Sequence, residues 1–184
     1  MKTLGIDLAG KSENPSGVAV QEGRHIKTEI SKTDEEIIDV CRSQNPKVIA
    51  IDAPLSLPKK GNLREADSEL IGKGHRVLPP TLGGMRLLTE RGIRLADALS
   101  KLEFEVIEVH PRTSGEILFG SESRDDWISK LRKGGWNLSS EFSEHEIDSI
   151  VAALTGFLYL EERTEEVGEK EGEIIIPKNR LKIS

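Results

Sequence analysis

Lys47-Val48-Ile49-Ala50-Ile51-Asp52-Ala53-Pro54 is the stretch whose reading decides the fold. Val48 to Ile51 is continuously apolar, too short for a buried helix, and rich in β-branched residues. It therefore reads as a strand buried on both faces, which requires helices above and below the sheet. Asp52 closes that strand at its carboxyl end, and Pro54 stops it from continuing. Immediately upstream, Thr33-Asp34-Glu35-Glu36 forms a capping box, and Ile37, Ile38, Val40 and Cys41 supply the apolar side of a helix that ends before Pro46. Further upstream lie three β-prone runs, Thr3 to Leu8, Gly17 to Gln21 and His25 to Ile30. Asn14-Pro15-Ser16-Gly17 and Glu22-Gly23 separate them, as turns of an antiparallel meander do. The order β-β-β-α-β predicts a mixed α/β sheet in which the first and fourth strands are parallel and joined through the helix.

Downstream, residues 53–83 are rich in Pro and Gly, with one short helical stretch at Leu63 to Ile71, and read as an insertion on the substrate side of the sheet. Met85, Leu88, Leu95, Leu99 and Leu102 space out a long helix, and Phe104 to Val109 gives another strand. Ser114 to Phe119 and Asp125 to Leu131 read as short helices. The last long helix, Ser143 to Leu160, opens with a second capping box, Ser143 to Glu146. A Glu-rich hinge from Glu161 to Glu171 leads to Ile174-Ile175-Ile176-Pro177, an edge strand closed by proline. The expectation is a five-stranded mixed sheet, three strands antiparallel and the others parallel, flanked by helices within one domain spanning residues 1–184.

The chain carries 32 acidic and 26 basic residues, for a net charge of −6, so it is not built to coat nucleic acid by bulk electrostatics. An acidic balance still suits a site made of clustered carboxylates. The lone cysteine, Cys41, sits among Ile37 and Ile38 as a small buried hydrophobe and excludes an internal disulfide, in keeping with a cytoplasmic setting. No signal-peptide core follows Met1, and no apolar run approaches bilayer length. The weighting toward Glu and Lys is a pattern of heat-adapted proteins.

Three carboxylates stand out. Asp7 ends the first strand in Gly5-Ile6-Asp7, and Asp52 ends the fourth in the same manner. If those strands are parallel neighbours, the two charges lie close together and repel unless a cation sits between them. His145 and Asp148, three residues apart, project from one side of the last helix. Ala152, Ala153 and Gly156 would let that helix lie close to the sheet and carry Asp148 toward the other two. Helix capping accounts for Glu146 and is the alternative reading for Asp148.

These segments resemble the retroviral-integrase-like RNase H superfamily, above all the Holliday-junction resolvase RuvC and the RuvC-like domains of CRISPR effector nucleases. The resemblance rests on Gly5-Ile6-Asp7, Ile51-Asp52 and the stretch from His145 to Leu154. The wider pattern is also similar to an uncharacterised prokaryotic family of predicted nucleases with an RNase H fold. Ala50 to Pro58, Leu88-Thr89-Glu90-Arg91-Gly92 and Ile107 to Arg112 carry that likeness. The resemblance implies an RNase H-like fold and a catalytic set of Asp7, Asp52, His145 and Asp148. One departure is Asp52, where RuvC-like enzymes usually carry the longer Glu.

Glu108 ends the Phe104 strand beside His110, Pro111 and Arg112, and reads either as a fourth ligand or as an ion-pair partner of Arg112. Lys59, Lys60, Arg64 and Arg76, in the insertion, and Arg112 are the candidate phosphate contacts. Arg86, Arg91 and Arg94 read instead as a solvated helix face, with Arg86 to Glu90, Glu90 to Arg94 and Asp97 to Lys101 as i, i+4 pairs.

The expected activity is phosphodiester hydrolysis with DNA or RNA as partner. Asp7, Asp52 and Asp148 would hold two Mg²⁺ or Mn²⁺ ions roughly 4 Å apart. Two alternatives remain open. One is a single lobe of an actin or sugar-kinase type phosphotransferase, which would need a homodimer to close on nucleotide. The other is a nucleic-acid-binding or regulatory module without turnover.

Overall fold

The computed structural model describes residues 1–11, 13–139, 141–169 and 172–182. The chain begins with the meander β1 (Lys2–Asp7), β2 (Ser16–Glu22) and β3 (His25–Ser31), then α1 (Asp34–Gln44) and β4 (Val48–Asp52). Helices α2 (Glu65–Gly72) and α3 (Gly84–Lys101) precede β5 (Val106–Val109) and the helices α4 (Pro111–Phe119), α5 (Arg124–Lys133) and α6 (Glu144–Leu160). Strands β6 (Thr164–Val167) and β7 (Ile174–Pro177) complete the sheet. Its order is β3-β2-β1-β4-β5-β7-β6. β1 pairs antiparallel with β2 and parallel with β4, as the β-β-β-α-β reading requires.

The sheet has seven strands rather than five. Ile174–Pro177 is not an edge strand: it pairs parallel with β5 on one side and antiparallel with β6 on the other. The edge is β6, within the stretch read as a Glu-rich hinge. An edge strand leaves part of its surface to solvent, so Thr164-Glu165-Glu166-Val167 needs little apolar patterning, and only Val167 is buried. The end of that expected hinge, Lys170 and Glu171, lies outside the described residues.

β4 is buried on both faces, as its apolar run implies. Ile49 and Ile51 join Leu4 and Ile6 of β1 under α1 and α3, with Ile37, Cys41, Leu95 and Leu99 opposite. Val48 and Ala50 face the other way and meet Ala152 of α6. The capping boxes at Thr33 and Ser143 both form, fixing the starts of α1 and α6.

Helix α6 lies unusually close to the sheet, and glycines in the strands permit it. A Cβ on Gly5 would collide with the backbone of Ser149 and Ala153, and one on Gly17 with the backbone of His145. Backbone atoms cannot step aside as a flexible side chain can, so these two positions accept only hydrogen. Gly156 of α6 faces the side chains of Val48 and Ala50, where a Cβ would be only slightly tight, so it contributes less to the approach. The approach sets how far the first turns of α6 reach over the ends of β1 and β4.

Candidate metal centre

Asp7 and Asp52 are register partners at the carboxyl ends of adjacent parallel strands. Asp148 enters from the second turn of α6, held over those strand ends by the Gly5 and Gly17 contacts. One oxygen from each of the three carboxylates lies within 4.8 Å of the others. His145, one turn earlier on α6, places Nδ1 2.7 Å from Oδ2 of Asp7.

Three carboxylates this close cannot all ionise freely. Burial pushes the Asp7 carboxyl up to about 6, partly offset by its hydrogen bond with His145. Asp52 is raised well above the usual carboxylate range, first by burial and then by the charges of Asp7, Asp148 and Glu108. The protein supplies one strong counter-charge: Arg124, at the start of α5, grips both oxygens of Asp148 at 2.8 and 2.7 Å. That bond holds the guanidinium's pKa above its ordinary value. One guanidinium does not balance three carboxylates, and the remaining field favours a cation. The donors are all hard oxygens, which suit Mg²⁺ or Mn²⁺.

Glu108 stands apart from this trio. Its two oxygens accept from Nη1 and Nη2 of Arg64 at 2.7 and 2.6 Å, and one also accepts from the Leu55 amide at 2.8 Å. Arg64 in turn is held by Asp67, so a guanidinium with two carboxylates forms a fully buried network. This differs from the sequence reading in two ways. The ion-pair partner of Glu108 is Arg64, not Arg112, and Arg64 is an interior strut rather than an exposed phosphate contact. Arg112 pairs with Glu122 and Glu116 instead. The network also pins α2, whose Ala66 and Leu70 pack on Val167, Ile174 and Ile176, so this part of the insertion is anchored to the sheet.

His110 caps α4: its Nδ1 accepts from the Thr113 amide, and Pro111 occupies the first helical position. Burial lowers its pKa to about 4, so the ring is neutral, with its proton on Nε2. A pocket of about 370 Å³ adjoins the carboxylates through Asp52 and is lined by His110, Arg76 and Arg112 on its polar side and Leu78, Met85 and Leu88 on its apolar side. Lys59 and Lys60 are exposed and lie outside it.

Sequence reading missed two arginines. Arg124 carries a faint signal, because a cation in the first turn of a helix is disfavoured by the helix dipole and so suggests another duty. Arg91, read from the sequence as part of a solvated helix face, is instead buried and donates to Asp34 and to the carbonyls of Ala9 and Lys32. It ties the segment after Asp7 to the start of α1. The expected pairs Arg86 to Glu90 and Asp97 to Lys101 do form.

Residues 5–126 match the family described as Protein of unknown function (DUF429). The chain belongs to this family. The matched span of the DUF429 chain includes Asp7, Asp52, Glu108 and Arg124 and ends before α6, which contributes His145 and Asp148. No curated protein sequence matches it. Among solved structures, the DUF429 chain is similar to Thermus thermophilus RuvC in complex with a Holliday junction substrate, at 14% identity and a TM-score of 0.55. A second Thermus thermophilus RuvC structure gives 15% identity and a TM-score of 0.52. Each likeness covers 88% of this chain and 96% of the RuvC chain. The DUF429 chain therefore has the RuvC-type RNase H-like fold. No helix among the described residues is long and apolar enough to cross a membrane.

Proposed function

We propose that the protein is a metal-dependent nuclease whose phosphodiester substrate meets Mg²⁺ or Mn²⁺ held by Asp7, Asp52 and Asp148. The observation that carries this reading is the convergence of three carboxylates on one point from β1, β4 and α6, with their charges incompletely neutralised. Similarity to RuvC, described in complex with a Holliday junction, makes nucleic acid the first substrate class to consider. Bound at this centre, one or two divalent ions would polarise the phosphate and lower the pKa of a water molecule.

The chain's own residues would divide the remaining tasks. Asp7 fixes one face of His145 through Nδ1 and leaves Nε2 to orient water or accept its proton. Arg124 neutralises Asp148 until metal and phosphate arrive, and its guanidinium is then placed to pair with phosphate oxygens. Arg76 and Arg112 flank the adjoining pocket as contacts for a neighbouring phosphate, with Lys59 and Lys60 further out along the strand. Glu108 acts at one remove, holding Leu55 and Arg64 behind Asp52. Such a protein would work in the cytoplasm.

The test is a cleavage panel of single-stranded, duplex and branched DNA, RNA and cyclic dinucleotides with Mg²⁺ or Mn²⁺, run beside Asp52→Asn. Metal-dependent cleavage that this substitution abolishes is the expected result. No cleavage of any member, or cleavage unaffected by Asp52→Asn, would overturn the proposal.

A further inference from the structure

A second cleft, of about 1130 Å³, opens at the opposite end of the sheet from the carboxylates. Its position follows from the register: Asp7 pairs with Gly17, whereas Gln21, in the cleft wall, pairs with Thr3 at the start of β1. Leu154, Phe157 and Leu158, from the later turns of α6, contribute apolar surface, and Trp136 stands beside them. Arg24, Arg163, Arg180 and Lys182 line the same cleft, accompanied by one acidic residue, Glu161. All four cations are exposed, and none has an ion-pair partner among the described residues. A concentration of unpaired positive charge in a chain of net charge −6 selects an anionic occupant.

Two further features describe that occupant. The Arg24 guanidinium lies 5.1 Å from the centroid of the Trp136 ring, and together they form a cation and aromatic platform of the kind on which nucleobases stack. Gln21 Oε1, an acceptor, and Trp136 Nε1, a donor, are buried without a hydrogen-bond partner among the described residues. Both atoms are buried, so a base edge would meet them only after a small side-chain shift at the cleft wall. The volume exceeds the roughly 300–1,000 Å³ usual for small-molecule pockets, and four cations match several phosphates better than one.

We infer that this cleft binds an unpaired segment of nucleic acid, with bases on the Trp136 and Arg24 platform and phosphates along Arg163, Arg180 and Lys182. The inference rests on nucleic acid being the substrate class, but it makes no use of the metal centre. It deepens the functional reading by favouring substrates that carry a single-stranded arm next to the cleavage point. Along the buried helix α6, Asp148 and Phe157 stand about 14 Å apart at the helical rise.

The test uses the whole protein in EDTA, with fluorescence anisotropy of a labelled short oligothymidylate, a duplex of equal length, and thymidine monophosphate as competitor. The variant is Arg163→Gln with Arg180→Gln, both exposed and remote from the carboxylates. The single strand should bind more tightly than the duplex, and the variant should lose about tenfold in affinity at low salt. The slope of log K against log salt should become shallower by about 1.4, the share of two phosphate contacts on a single strand. In a separate melt without EDTA, the variant's melting temperature and its shift with Mn²⁺ should match those of the wild type. Equal strand affinity in the variant and the wild type, duplex preference, or full displacement by the mononucleotide would overturn the inference. Loss of the Mn²⁺ response in the wild type would instead count against the metal centre and leave the strand measurement standing.

Discussion

The guanidinium of Arg124 donates from Nε to one oxygen of Asp148 at 2.8 Å and from Nη2 to the other at 2.7 Å. A bidentate grip of this kind occupies the very oxygens that a metal ion at Asp148 would use. Metal and guanidinium therefore compete for the carboxylate. Arg124→Gln should bind Mn²⁺ roughly threefold to tenfold more tightly by calorimetry, the scale of a partly exposed charge pair. In EDTA its melting temperature should fall, because the carboxylates lose their counter-charge. Weaker Mn²⁺ binding would instead make Arg124 an organiser of the site.

The pH dependence of stability carries a defined sign. The Asp7 carboxyl is raised to about 6, so the folded protein holds that proton more tightly than the unfolded chain. Its contribution to stability is full below the unfolded value, is lost as pH rises to about 6, and does not change further above that. His110, lowered to about 4, works in the opposite direction, so the wild-type profile alone is ambiguous. Subtracting Asp7→Asn cancels the histidine. Without metal, that variant should exceed the wild type in stability at pH 8 by on the order of 2–3 kcal/mol, with the gain vanishing near pH 4. Saturating Mn²⁺ should reverse the order at pH 8, because only the wild type gains from binding. Parallel profiles in denaturant titrations without metal would contradict this account.

Arg64 offers a contrast between folding and chemistry. It is buried between Glu108 and Asp67, so Arg64→Met leaves two interior carboxylates without their partner. The expected cost is about 3–5 kcal/mol, read from urea unfolding. A phosphate-binding role would instead lower substrate affinity at unchanged stability.

Much of this was legible in the sequence wherever the signal was local. The turns at Asn14 to Gly17 and at Glu22-Gly23 set the meander, the two capping boxes set the helix starts, and the apolar run before Asp52 set the central strand. Asp7 and Asp52 could be paired because parallel strands place equivalent ends side by side. What escaped were contacts between distant segments. Nothing near Arg64 announces Glu108, 44 residues on, and nothing near Arg124 announces Asp148, 24 residues on. The strand Thr164–Val167 escaped for a different reason, since the sheet edge lets glutamates stand where apolar residues would have marked a strand.

The most direct measurement is manganese anomalous scattering from crystals grown with Mn²⁺. The account predicts anomalous peaks between β1, β4 and α6, with Asp7, Asp52 and Asp148 oxygens at about 2–2.6 Å, the range for hard divalent cations. It also predicts that Arg124 has left at least one oxygen of Asp148. Manganese bound elsewhere with this cluster empty, or held there without contact to Asp52, would contradict it.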